Sequence, residues 1–274
     1  MHAVVRWSVA AILMSCLGLA MPAAAGVEVI GDDAGDRYAG SGGILLPASA
    51  PRETRQEVSR CPDCRWRITT PCVNSPDEGA QAACRAMLTG CAAGEVRLRV
   101  WFTSGGDVRW RDLGLVCVGP DGPVTVGDVE RALREEFERL LPSLRPSTQP
   151  SQGVLPHLPV LFHSGQPGAW PESRHTILGH AVVLRPRVTW SWTFGDGGIL
   201  TTGEPGSRYP HTAVSHVYRS GGLMRVAVVA HWTASFELDD LGVFPVRDAV
   251  LQQAQIAVEV GQARAVLVPG GPQG

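Results

Sequence analysis

The 274-residue chain has 24 basic and 26 acidic side chains and a formal net charge of -2, so neither nucleic acid nor an anionic membrane surface is implied as a partner. Every basic residue is arginine, which excludes a P-loop lysine, a Schiff-base lysine and a pyridoxal site. The length fits one large or two small domains.

Residues 1–25 read as a secretory signal. Arg6 supplies the positive start, Val9 to Leu19 the apolar core, and Ala23, Ala24 and Ala25 a small-residue cleavage site. An uncleaved anchor and lipidation at Cys16 are the rivals. The apolar run is short for a span, Pro22 interrupts it, and it continues past Cys16. Residues 26–58 hold apolar residues only in short runs, broken by Asp32, Asp33, Asp36, Gly40, Gly42 and Gly43. Such a segment buries too little surface to offset its ordering entropy, so a disordered tether is expected.

Residues 59–142 are expected to form a cysteine-rich α+β region. Besides Cys16 the chain has Cys61, Cys64, Cys72, Cys84, Cys91 and Cys117. An even number in a secreted chain argues for disulfides, with the pairing left open. Cys61 and Cys64 have two rival readings. A redox site needs the motif to open a helix, yet the residues from Arg65 to Pro71 look extended. A zinc site needs a second close cysteine pair, and the other four cysteines supply none. No metal is therefore expected.

A short helix is predicted from Asn74 or Ser75 to about Leu88, with Gly90 ending it. Glu95 to Phe102 and Val108 to Val118 alternate like a hairpin. Residues 127–141 give the clearest helix, with Val129, Leu133, Phe137, Leu140 and Leu141 on one face. Glu130 with Arg134 and Glu135 with Arg139 are spaced as surface pairs on the other face. Pro142 stops this helix. Its stripe is expected to dock on the chain's own sheet.

From 143 to 268 the pattern is strands and Gly/Pro turns, the signature of a sandwich. The predicted strands are Leu144 to Gln149, Leu158 to His163, Thr176 to Leu184, Val188 to Phe194, His216 to Tyr218, Leu223 to Phe236, Ile256 to Val260 and Arg264 to Val268. Residues 269–274 read as a loose tail. Val188, Trp190, Trp192 and Phe194 alternate with Thr189, Ser191 and Thr193, which puts four large apolar side chains on one face. The strand stops at Gly195, Asp196, Gly197 and Gly198, residues suited to tight turns. His216, Tyr218, Gly222, Val226 and Val228 follow in a second ordered run.

These two runs resemble the PKD domain, an immunoglobulin-like sandwich. Trp190, Trp192, Phe194, Gly195, Asp196 and Gly197 fill its first motif, and His216, Tyr218, Gly222, Val226 and Val228 its second. Met224 stands where that family usually has an aromatic. The resemblance implies a fold that is mainly β, with a carboxy-terminal PKD-type sandwich behind the small disulfide-stabilised α+β region. It implies a scaffold role for His216, and extracellular contacts with protein or carbohydrate.

Catalytic signatures are weak. His175 and His180 are five residues apart and would face opposite sides of a strand. Ser164 lacks a nucleophile elbow, and no HExxH zinc helix is present. No nucleophile, base and orienting group can be named together. Asp196 reads as a turn residue accepting backbone N–H bonds. A calcium role with Glu204, Asp239 or Asp240 would need more oxygen ligands at fixed spacing. The expectation is a secreted or cell-envelope, non-catalytic bacterial binding protein without cofactor and without a stable membrane span. The alternative is an extracytoplasmic enzyme, either a thiol-disulfide oxidoreductase using Cys61 and Cys64 or a hydrolase. The candidate contact surface is the long segment from Gly198 to Ser215, with Glu204, Arg208, Tyr209 and His211, and with Trp170 as a neighbour.

Overall fold

A computed structural model describes residues 27–29, 38–74, 90–106 and 109–262. The segments predicted as a signal, a helix before Leu88, a strand from Arg264 and a loose tail, together with Cys84, lie outside the described residues.

The amino-terminal unit is an antiparallel sheet in chain order: β1 (Val27–Val29), β2 (Tyr38–Ser41), β3 (Arg65–Thr69), β4 (Val96–Thr103) and β5 (Arg111–Val118). Trp66, Ile68, Leu98, Val100 and Phe102 form its buried face. Cys61 and Cys64 lie at disulfide distance, with Cα atoms 5.5 Å apart. Cys91 and Cys117 do so at 5.7 Å, and Cys72 is disulfide-bonded too.

The tether expectation is corrected over 38–58. That stretch contains β2 and a helix, α1 (Arg52–Ser59). Its short apolar run does find burial, in two cores at once. Ile44 and Leu46 enter the amino-terminal cluster, and Leu45 between them enters the sandwich cluster. Alternating side chains on an extended segment allow this. α1 has little apolar content, and tertiary contacts hold it in place. Arg55 grips Asp240 with two nitrogens, at 2.6 and 2.7 Å. Gln56 donates to the Asp240 carbonyl (3.0 Å) and Arg60 Nε to the Leu241 carbonyl (3.1 Å).

The second helix, α2 (Val126–Leu140), begins at a reciprocal cap between Thr125 and Asp128. That arrangement satisfies two orphan amides. Val129, Leu133 and Phe137 are buried in the sandwich cluster and Leu141 packs against it, so most of the stripe docks on the chain's own sheet, whereas Leu140, expected on the same face, is exposed. The charged face differs from expectation. Arg134 pairs with Glu138 (3.0 Å) and Arg139 with Glu136 (2.5 Å), whereas Glu130 is buried.

The sandwich has β6 (Ser147–Gln149), β7 (Pro159–His163), β8 (Ser173–Ile177), β9 (His180–Thr193), β10 (Ile199–Thr202), β11 (Ser215–Val217), β12 (Gly222–Leu238) and β13 (Gly242–Val260). One sheet runs β10-β9-β12-β13 with β8 beside β9, and the other runs β11-β7-β6. Thr176 to Leu184 and Val188 to Phe194, predicted as separate strands, are divided differently: β8 ends at Ile177, and β9 continues through Pro186. β13 begins at Gly242 and so adds a long stretch before the predicted Ile256.

β9, β12 and β13 are too long for the three-stranded sheet to cover. One half of their inner face meets β7, where Phe162 lies 5.7 Å from Trp192 and 5.0 Å from Phe194. The other half is covered by α2, where Phe137 meets Trp232 edge-on at 6.3 Å. Ala230 sits opposite Trp190 and Val228 opposite Trp192, and all four are buried. Small side chains beside large ones let such a layer interdigitate at interior density.

Candidate functional site

The turn after β9 is closed by its own residues. Gly195 has φ +87°, and a Cβ there would lie 2.8 Å from the Arg225 backbone nitrogen, so glycine is required. Asp196 Oδ1 accepts from the Gly198 N–H at 3.0 Å, the turn role expected for it. Its Oδ2 lies 2.7 Å from His216 Nε2, and a carboxylate there requires the ring proton on Nε2. The His216 ring stacks on Phe194 at 4.2 Å. Burial works against the charge of Asp196, but the His216 and Gly198 hydrogen bonds outweigh it and hold the carboxyl below the ordinary carboxylate range. Tyr218 donates its hydroxyl to the Phe194 carbonyl (3.1 Å). Burial, reinforced by the nearby Asp196 charge, pushes that phenol up to about 12.

One phenyl ring, a carboxylate, an imidazole and a phenol thus lock one strand end to another. Residues 172–238 match the family model for the PKD domain, and both motif runs fall inside that span. The chain carries a PKD-type domain. Among solved structures, the chain is similar to the PKD domain of the human VPS10 domain-containing receptor SorCS2. The two share 22% identity over 46% of this chain and 78% of that one, with a TM-score of 0.26. No curated protein matches.

The loop beside the PKD motif is strapped down rather than free. Its first residues form β10 on β9, where the Ser191 and Thr201 hydroxyls bond at 3.2 Å. The Pro205 carbonyl accepts from the Ser164 N–H (2.7 Å), and Gly206 bridges to His163. The Tyr209 N–H reaches the Gln149 side chain (3.0 Å), and the His211 N–H turns back to the Arg208 carbonyl (3.2 Å). Glu204, Arg208 and His211 are exposed, and Tyr209 is 75% exposed.

Trp170 is half-buried and packs edge-on against Trp232 at 6.0 Å, at the margin of the core. Sequence reasoning missed His163, which burial and the nearby Arg208 charge hold below the ordinary imidazole range. It also missed Gln166, a buried residue whose Oε1 accepts from Trp190 Nε1 (2.8 Å) while its Nε2 reaches Gln252 (2.6 Å). Neither carries a motif, and only the tertiary fold brings their partners near. His180 bonds Asp239 at 2.7 Å, and His175 bonds Ser173 at 2.8 Å on the neighbouring strand. Cys91, Glu95 and Cys117 are close enough to suggest metal ligation, but the two sulfurs already pair with each other.

Proposed function

We propose that the chain is an extracytoplasmic, non-catalytic binding protein that contacts a protein or carbohydrate through the strapped loop 203–213 of its PKD-type domain. The observation that carries this reading is Tyr209. It is a large aromatic left exposed on a loop whose backbone is tied to β6 and β7, with Arg208 and His211 beside it. Aromatic and arginine side chains held on a rigid scaffold lose little freedom on binding and dominate contact energies. Paired cysteines in the amino-terminal unit support an oxidising compartment. Among the described residues no helix is long and apolar enough to cross a membrane.

The oxidoreductase alternative has less support. Cys61 follows the end of α1, and Cys64 precedes β3 and is fully buried. A thiolate gains stability at the beginning of a helix, where the dipole is positive, and loses it at the end.

The test is capture from the envelope fraction of the producing cell. Full-length protein is compared with a Tyr209→Ala, Arg208→Ala variant and with a variant whose loop is cut to a short turn. Both variants should keep the melting temperature and lose the captured partner. Recovery of every partner by both would reduce the loop to a spacer.

A further inference from the structure

We propose that the cleft between the amino-terminal unit and the sandwich binds a small organic carboxylate with an apolar body, held between Arg60 and Arg247. The cleft encloses about 350 Å³. Ligand sites favour such junctions, and this volume lies within their usual range of roughly 300–1,000 Å³.

The two arginines come from different units, and each is anchored through one atom. Arg60 follows α1 and donates Nε to the Leu241 carbonyl at 3.1 Å. Arg247 lies on β13 and donates Nε to Glu130 Oε2 at 3.0 Å. Among the described residues neither guanidinium has a hydrogen-bond partner for its two terminal nitrogens, although Arg60 Nη2 packs over Gly242, where a Cβ would lie 1.9 Å from it. An arginine fixed at Nε keeps its plane and presents a fork that fits a carboxylate. Glu130 does not compete for that fork, because its other oxygen accepts the Arg247 backbone N–H.

The remaining walls select an apolar body. Phe244, Val126, Pro62 and Pro245 line the cleft together with the two arginines. Gly42 and Gly43 complete the lining, and a Cβ on Gly43 would lie 2.1 Å from the Ser59 carbonyl oxygen. An inorganic anion would use the forks and leave these walls idle. An acyl carboxylate uses both. The residues differ from those of the loop 203–213, so the two readings fail independently.

The experiment is calorimetric titration of the full chain with hexanoate, hexanol and inorganic phosphate. Hexanoate should bind at one site, hexanol about tenfold or more weaker, and Arg60→Gln or Arg247→Gln should weaken hexanoate by about tenfold or more each. Because Arg247→Gln strands a buried carboxylate, the double variant Glu130→Gln, Arg247→Gln repeats the test without that charge, and melting temperatures verify folding. Hexanol binding as tightly as hexanoate, or full affinity in both single-arginine variants, overturns the proposal. Phosphate binding as tightly as hexanoate overturns it as well, leaving an adventitious anion only.

Discussion

Glu130 on α2 closes on Arg247 of the edge strand β13 from two sides, taking the backbone N–H with one oxygen and the side-chain Nε with the other at 3.0 Å. Arg134, one helical turn on, donates to the Arg247 carbonyl at 3.1 Å. The helix thus satisfies a strand edge where, among the described residues, no further strand pairs, at the bulge where Asp248 adopts φ +60°. Edge strands need such cover. Glu130→Ala leaves the part-buried Arg247 N–H without its partner and should cost about 1 kcal/mol or more. Glu135→Ala, on the exposed face, should stay within about 0.5 kcal/mol. Denaturant unfolding of the two variants checks this, and equal losses would contradict it.

The three buried tryptophans of the sandwich are not equivalent. Trp190 Nε1 donates to Gln166, whereas Trp192 Nε1 is buried with no partner among the described residues. Replacing either by Ala removes a core side chain and should cost about 3–5 kcal/mol. Replacement by Phe separates them. Trp190→Phe orphans the Gln166 carbonyl oxygen, while Trp192→Phe deletes a donor that was already unpaired. The Trp190 variant should be less stable than the Trp192 variant by about 1 kcal/mol. Chemical denaturation of the pair decides it, and the reverse order would show that ring shape governs both sites.

The helix and the sandwich share one core. Leu133 is fully buried in the cluster that contains Trp232, and Phe137 touches that ring directly. A charge placed there has no partner, so Leu133→Asp should lower stability by about 3 kcal/mol or more. A fragment starting at Leu144 exposes the half of the long sheet that α2 covers, and it should melt well below the full chain. Equal melting temperatures would show that the helix is a passenger.

What was legible in the sequence was what local periodicity encodes. Trp190, Trp192 and Phe194 alternate, and alternation fixes a strand face whatever surrounds it. The stripe of α2 is legible for the same reason. α1 was not, because Arg52 to Ser59 buries only Val58 and Ser59 and is held by Asp240 and Leu241 far along the chain. The first half of β13 was hidden by Pro245 and Asp248, which read as loop residues yet are tolerated at an edge and a bulge. In the candidate site, loop length and residue types stood out, but part of that length is β10. The pairing of Glu130 reversed the surface reading because spacing along a helix does not say which polar face meets another strand.

The last prediction concerns acid. The Asp196 carboxyl is held below the ordinary value of 3.8 in the folded protein, since its bonds to His216 and Gly198 outweigh the opposing effect of burial. A carboxyl depressed on folding contributes stability that is present above its unfolded pKa and lost as pH falls through the folded one. Wild type should therefore be more stable than Asp196→Asn at about pH 6, and that advantage should shrink as pH falls below the ordinary carboxylate value. Asp240, also depressed by its hydrogen bond to Arg55, titrates in both proteins and cancels from the comparison. Melting temperatures of the two proteins across this range measure the difference. A gap that stays constant down to about pH 2 would show that Asp196 holds the turn by shape alone, without its charge.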